Sequence, residues 1–258
     1  MKRNTKITII GSGTCVPRLD RSACAVLMET GRSKILMDLG PGTIRRLLEY
    51  GVTIFDLTHI FLSHFHPDHT SELVPLLFAT KYPDNQARKR KLNIIGAPGL
   101  KSFYQGLKAA YGQWIELPRH QMTIQEMDIS IAEPLKFDDF HVTARPVNHR
   151  PESLAYRIQA ENGISMVYSG DTDECETLTE LAAGTDLLIC ESSMPDQHKV
   201  PGHLTPSLAG TIASRAQAKR LVLTHLYPLC DEVDIVKQAR STYKGPITVA
   251  EDLMTFRL

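Results

Sequence analysis

The chain has 258 residues, 42% of them apolar, enough to build a substantial core in one large domain or two small ones. Lys plus Arg and Asp plus Glu both number 29, so the net charge is zero with histidine neutral; this argues against broad electrostatic capture of nucleic acid but leaves room for a local basic patch. The five cysteines (Cys15, Cys24, Cys175, Cys190, Cys230) form no C-x-x-C pair and suit free thiols in a reducing compartment, while the apolar stretch Ile7–Ile10 is too short for a signal sequence or a membrane span, so a soluble cytoplasmic protein without a membrane partner is expected.

In chain order, β-branched Ile7–Ile10 runs into the glycine turn "GSGTCVP", and "CAVLMETGRSKILMDLG" reads as two strands around a turn at Thr30–Ser33. "TIRRLLEYG" spaces Ile44, Leu47 and Leu48 as a helix that Gly51 stops, and "THIFLS" is a short buried strand. "KLNIIGA" reads as a strand and "GLKSFYQGLKAAYG" as a helix, with strands in "ISIAEPLKFDDFHVTARPVNH". A hairpin follows, "LAYRIQA" and "ISMVYSGD" around Glu161–Gly163, then a helix from Thr205 in "TPSLAGTIASRAQ", the strand "RLVLTH", a helical stretch and "ITVAEDLMTFRL". No repeat, low-complexity tract or long linker interrupts this, so one domain over residues 1–258 is expected. Helices and strands alternate while many strands pair as hairpins, which favours α/β architecture with two sheets carrying helices on their outer faces.

The segment "FLSHFHPDHTSEL" carries His64, His66, Asp68 and His69 directly after an apolar run. A His-rich solvated loop and a metal-gripping loop both fit such a cluster. His64 and His66, two apart, share a side of an extended segment, and Pro67 makes a continuing strand improbable, so Asp68 and His69 can aim at a second position. Further polar residues end other apolar β-type runs: His149 in "RPVNHR", Asp171 in "MVYSGDT" and His225 in "RLVLTHLYP". Singly each has a bland reading, Asp171 as a turn residue or helix cap for instance. Jointly they look like ligands projecting from the rim of a sheet.

"SHFHPDH" resembles the H-x-H-x-D-H motif of the metallo-β-lactamase superfamily, and the resemblance extends from "GSGT" to the last strand. It implies an αββα sandwich with the site along one edge. It also implies that His64, His66 and His149 hold one divalent metal, that Asp68, His69 and His225 hold another, and that Asp171 bridges them. Imidazole and carboxylate ligands favour zinc, with manganese or iron as substitutes. Two such metals about 3.5–4 Å apart share and acidify a water.

Three features narrow the reaction. Aspartate at 171 in place of a thiolate, with no export signal, speaks against a secreted antibiotic-degrading enzyme. "GHLTPSLAGTIASRA" followed by "LVLTH" resembles the H-x-T segment of the ribonuclease Z branch, which makes His203 the candidate proton donor. Thr205 then either contacts a phosphate oxygen or caps the helix. Glu191 in "LLICESS" resembles that branch's "HEA" segment, with Cys190 in place of its histidine, and is a candidate to orient His203 or a ligand. The opening "GSGTCVPRLDRSACAVLME" resembles the start of the same branch. Ser12, Gly13 and Thr14 could line the pocket, although a tight turn alone explains the glycines. Asp38 in "LMDLGPG" matches an aspartate that buttresses the metal loop.

One departure stands out. Ribonuclease Z proteins that mature tRNA generally carry a long arm between the third and fourth ligand motifs, whereas here only residues 150–170, 21 in number, separate His149 from Asp171. The basic run "ARKRK", residues 87–91, reads as a solvated loop more readily than as an RNA contact. The expected activity is therefore hydrolysis of small phosphodiesters, cyclic nucleotides or short RNA by a hydroxide shared between the metals, with Asp68 helping to orient it. A tRNA 3′-processing endonuclease and a thioester or lactone hydrolase are the alternatives, and the branch implies a possible homodimer.

Overall fold

The structure is a computed structural model that describes residues 5–81, 88–129 and 133–258. Its first sheet comprises β1 (Lys6–Gly11), β2 (Ala25–Thr30), β3 (Ser33–Met37), β4 (His59–Phe61), β5 (Leu92–Gly96) and β6 (Met122–Glu126) in sequential order. Helices α1 (Thr43–Tyr50), α2 (Pro67–Thr70), α3 (Leu73–Lys81) and α4 (Leu100–Tyr111) connect its strands. The second sheet runs from β7 (Leu135–Lys136) through β8 (Phe140–Pro146), β9 (Leu154–Ala160), β10 (Ser165–Tyr168), β11 (Leu187–Glu191) and β12 (Leu221–Thr224) to β13 (Ile247–Val249). Its helices are α5 (Glu176–Leu181), α6 (Pro206–Arg215) and α7 (Ile235–Arg240). The last strand, β14 (Thr255–Arg257), returns to pair antiparallel with β1 in the first sheet.

The two-residue period of the strands builds three cores. Val26, Met28, Ile35, Met37 and Phe61 point inward from the first sheet and meet Tyr156, Ile158, Met166, Leu187 and Val222 of the second in one cluster. The alternate residues Leu27, Leu36 and Ile60 pack outward with Leu47 of α1, Leu76 of α3 and Leu100 of α4. Val167, Leu188 and Leu223 likewise pack outward with Leu178 of α5, Ile212 of α6 and Ala239 of α7. Two mixed sheets face each other between helices, the αββα sandwich that the sequence resemblance implies.

Helices α3 and α5 and strand β6 have no counterpart in the sequence reading. Helix α3 is apolar on both sides, Leu76 and Leu77 buried while Phe78 is 47% exposed, so no single stripe marks it. The basic run needs a correction. Ala87 lies outside the described residues, and Arg88 is not solvated. Its guanidinium is buried and donates to the carbonyls of Leu57 (2.7 Å) and Ile54, leaving Lys89, Arg90 and Lys91 exposed. All five cysteines are free, and among the described residues no helix is long and apolar enough to cross a membrane.

His59 begins β4, at the opposite end from the site described below. Its ring packs edge-on against Phe137 (4.6 Å) and Phe140 (5.0 Å), with Nδ1 2.9 Å from Thr58 Oγ1. Burial pushes its imidazole down from 6.5 to about 4. The unfolded chain therefore takes up a proton near pH 6.5 that the folded chain refuses, and stability falls as pH drops from 6.5 towards about 4. His59→Gln should make the metal-free protein less stable at neutral pH yet flatten that acid fall by roughly 1–3 kcal/mol, read from urea unfolding across the window. An unchanged acid slope would show that His59 titrates normally in the fold.

Candidate metal centre

Every residue of the site leaves the same edge of the sandwich. Strands β1, β3 and β4 run parallel to one another in the first sheet, as do β8, β10, β11 and β12 in the second. Asp38 follows β3, His64 and His66 follow β4, His149 follows β8, Asp171 follows β10 and His225 follows β12, each just past a C-terminal end. Pro67 does locally what its chemistry demands. It stops the extended segment and opens α2, so Asp68 and His69 project from a helical turn. Gly40 lies so close to this turn that a Cβ there would come within 1.8 Å of the Asp68 carbonyl, a contact only glycine permits.

The side chains form two main groups of potential ligands, His64, His66, His149 and Asp171, and then Asp68, His69 and His225, while a third, overlapping set joins His203 to Asp171 and His225. Asp171 faces both main groups. Its Oδ2 lies 3.7 Å from His64 Nε2 and 4.0 Å from His149 Nε2, and its Oδ1 lies 3.2 Å from His69 Nε2 and 3.4 Å from His225 Nε2. Asp68 Oδ2 closes the second group at 3.8 Å from His69 Nε2 and 3.6 Å from His225 Nε2, and His66 Nδ1 lies 3.2 Å from His149 Nε2 in the first.

These residues fit divalent metal. His64 Nε2, His69 Nε2, His225 Nε2 and Asp171 Oδ1 are buried and have no hydrogen-bond partner, although buried polar atoms are nearly always paired. In the second group, Asp171 Oδ1 lies 3.2 and 3.4 Å from His69 and His225 Nε2, close to the roughly 3.3–3.6 Å between ligands that sit about 2.0–2.2 Å from a tetrahedral ion. In the first, Asp171 Oδ2 stands further off, at 3.7 and 4.0 Å from His64 and His149 Nε2. The outer ring nitrogens agree. His69 Nδ1 donates to Asp38 Oδ2 (2.7 Å) and His149 Nδ1 donates to the Gly202 carbonyl (3.0 Å). His64 Nδ1 meets Ser63 Oγ (3.0 Å), whose own proton goes to Asp38 Oδ2 (2.7 Å). A carboxylate or carbonyl oxygen only accepts, so these contacts put a proton on Nδ1 and leave Nε2 as the nitrogen that faces inward, free to ligate once it carries no proton.

The electrostatics show a centre built around positive charge. Burial pushes His64 down to about 2, helped by the neighbouring His69. His69 goes the other way: burial opposes its charge, but Asp171 and Asp38 outweigh it and raise the imidazole well above 6.5. Asp171 is held well below the usual carboxylate range, His225 and His69 overcoming its burial. Asp38 and His225 also carry positive φ (both 57°), a conformation that costs a non-glycine residue about 1–3 kcal/mol and tends to collect at functional sites.

His203 borders both groups. Its ring lies 4.8 Å from that of His149 and stacks 5.8 Å from that of His225, with a ring nitrogen within 4.8 Å of ligand atoms of Asp171 and His225. Glu191 Oε1 accepts from its Nδ1 at 2.9 Å, so Nε2 is the atom left for other chemistry. Burial lowers the His203 pKa, but the hydrogen bond and charge of Glu191 prevail and raise it.

The remaining candidates fare differently. Asp38 accepts from Ser63 N, Ser63 Oγ, His69 Nδ1 and Tyr168 Oη, all at 2.7 Å, and so braces the metal loop without facing its centre. Thr205 starts α6 but makes no capping bond; its buried hydroxyl meets only Ser207 Oγ at 3.5 Å, and Asp196 takes the Ser207 amide instead. Ser12 is fully buried, its amide and hydroxyl donating to Asp252 Oδ1 and its hydroxyl accepting from Arg21. Thr14 lines, together with Arg18 and Arg21, a cavity of about 470 Å³ whose lining includes none of the candidate ligands. Ser63, Tyr168 and Ser193 were not singled out from the sequence. Their common signal is a polar side chain in or just after a buried strand, too ordinary a pattern to pick out beforehand.

A profile of the beta-lactamase superfamily domain matches residues 33–226. A ribonuclease Z from Mycobacterium bovis is 30% identical over 270 residues, covering 96% of each chain. Among solved structures, the metallo-β-lactamase fold protein YhfI from Bacillus subtilis superposes with a TM-score of 0.85 at 24% identity, covering 100% of each chain. The short form of human tRNase Z superposes with a TM-score of 0.74 at 25% identity, covering 97% of this chain and 98% of its own. Ligand motif, sandwich and these similarities agree: the chain belongs to the β-lactamase superfamily, in its ribonuclease Z-like branch.

Proposed function

We propose that this chain hydrolyses small phosphodiesters, cyclic nucleotides or short RNA, using two divalent metal ions, zinc foremost and manganese or iron as substitutes. The observation that carries the reading is Asp171, which presents one oxygen to each of two histidine groups while His203 borders both. A metal pair there supplies Lewis acidity towards a phosphoryl oxygen and makes water a competent nucleophile at neutral pH. The first ion would be held by His64, His66 and His149, the second by Asp68, His69 and His225, with Asp171 between them.

The chain's own groups do the rest. Glu191 holds His203 by Nδ1 and favours its protonated form, so Nε2–H can be delivered to the departing oxygen. Asp68, partly exposed beside His225, has a carboxylate placed to accept from and orient the attacking water. Between His149 and Asp171 the chain folds directly into the β9–β10 hairpin, so the long arm on which large RNA substrates are held has no counterpart there.

Similarity to ribonuclease Z favours a second reading, a tRNA 3′-processing endonuclease. The test is kcat/KM of zinc- or manganese-loaded protein on 3′-extended precursor tRNA and on a 2′,3′-cyclic nucleotide, side by side. Turnover of the cyclic diester alone is expected. Efficient tRNA cleavage would replace the small-substrate reading with the processing one, and inactivity on both would direct attention to thioesters and lactones.

A further inference from the structure

We propose that Ser193 is a positioning residue that ties His225 to the Glu191–His203 pair, so that one buried carboxylate sets both the proton donor and a ligand of the second metal. This rests on the two-metal reading above. Glu191 is buried at the end of β11 and is ringed by donors: the amides of Thr172 (2.8 Å), Ser193 (3.2 Å) and Leu204 (3.1 Å), His203 Nδ1 (2.9 Å) and Ser193 Oγ (2.6 Å). Five donors surround its oxygens, so the carboxylate accepts throughout and the serine proton points at it.

The lone pairs of Ser193 Oγ then face His225 Nδ1 at 2.9 Å, and the imidazole must be the donor. The contact from His203 Nδ1 to the same hydroxyl is longer, 3.2 Å, than its bond to Glu191, so that proton belongs to the carboxylate. The His225 ring is thereby held with Nδ1 outward and Nε2 inward, 3.4 Å from Asp171 Oδ1 and 3.6 Å from Asp68 Oδ2. The backbone of Ser193 is itself pinned, its carbonyl accepting from the Tyr227 amide (3.2 Å) and Cys230 Sγ (3.2 Å).

The same device occurs a second time. Asp38, Ser63 and His64 form a carboxylate–serine–histidine chain in the first group, with Ser63 Oγ 2.7 Å from Asp38 and 3.0 Å from His64 Nδ1. Each metal group thus has one histidine whose ring is set through a serine. The two differ in what else their carboxylate holds. Asp38 also orients His69, which crosses between the groups, and Glu191 also orients His203.

The experiment titrates metal-free protein with Zn²⁺ against a chromophoric chelator, and the second site is identified as the one lost in His225→Ala. Ser193→Ala should weaken that site about 10–100-fold and leave the other within roughly threefold, with Ser193→Thr close to wild type because it keeps the hydroxyl. Melting of each metal-free variant is measured alongside. An unchanged second-site affinity in Ser193→Ala would overturn the proposal. So would equal weakening of both sites with a lower melting temperature, which would mark Ser193 as packing only. Wild-type protein that binds no more than one equivalent would instead remove the two-metal reading itself.

Discussion

Asp171→Ala should abolish binding of the two metals together and lower kcat/KM by at least about 10³-fold, more than 4 kcal/mol of transition-state stabilisation. The reason is geometric. Asp171 is 3% exposed and gives Oδ2 to His64 and His149 and Oδ1 to His69 and His225, so truncation removes a ligand from both groups at once. It also withdraws one of the two carboxylates that raise the His69 pKa, leaving Asp38 as the other. Metal analysis after reconstitution, with circular dichroism to verify folding, gives the readout. A variant that keeps one tightly bound equivalent would show Asp171 to serve a single ion, and a variant that keeps both would remove it from the centre.

The residues that the fold brings together as candidate ligands were legible in the sequence because they stand out from a plain background: histidines and carboxylates clustered at or shortly after the ends of apolar β-type runs. The sheets were legible for the same reason that they form, since strict alternation in "AVLMET" and "SKILM" sends Val26, Met28, Ile35 and Met37 to one face and Leu27 and Leu36 to the other. Helix α3 was hidden because its apolar residues encircle it. The supporting polar residues were hidden for a different reason. Ser63, Ser193 and Tyr168 owe their importance to partners far away in sequence, as when Tyr168 reaches Asp38 across the two sheets, and no local pattern records such a contact. Thr205 shows the converse: of its two readings, phosphate contact or helix cap, the structure forms no capping bond, and Asp196 from another segment accepts the Ser207 amide.

His203→Ala separates proton delivery from metal binding. If Nε2 of His203 protonates the leaving oxygen, its loss should lower kcat about 10²–10⁴-fold on an alkoxide-leaving diester such as a cyclic nucleotide. The same variant should lose little on a bis(p-nitrophenyl) phosphate, whose leaving group departs without help, and it should retain the metal content of wild type. A merely structural role would depress both substrates alike. Because His203 also lies within reach of Asp171 and His225, loss of a metal equivalent in the variant would identify it as a ligand instead. Glu191→Gln sharpens the distinction. An amide in place of the carboxylate turns an NH₂ towards a ring of donors, so His203 loses the partner that raises its pKa while its imidazole remains. With metal held saturating, the cyclic substrate should then suffer more than the activated one, by a smaller factor than in His203→Ala; turnover untouched on both would relieve Glu191 of any part in holding the donor.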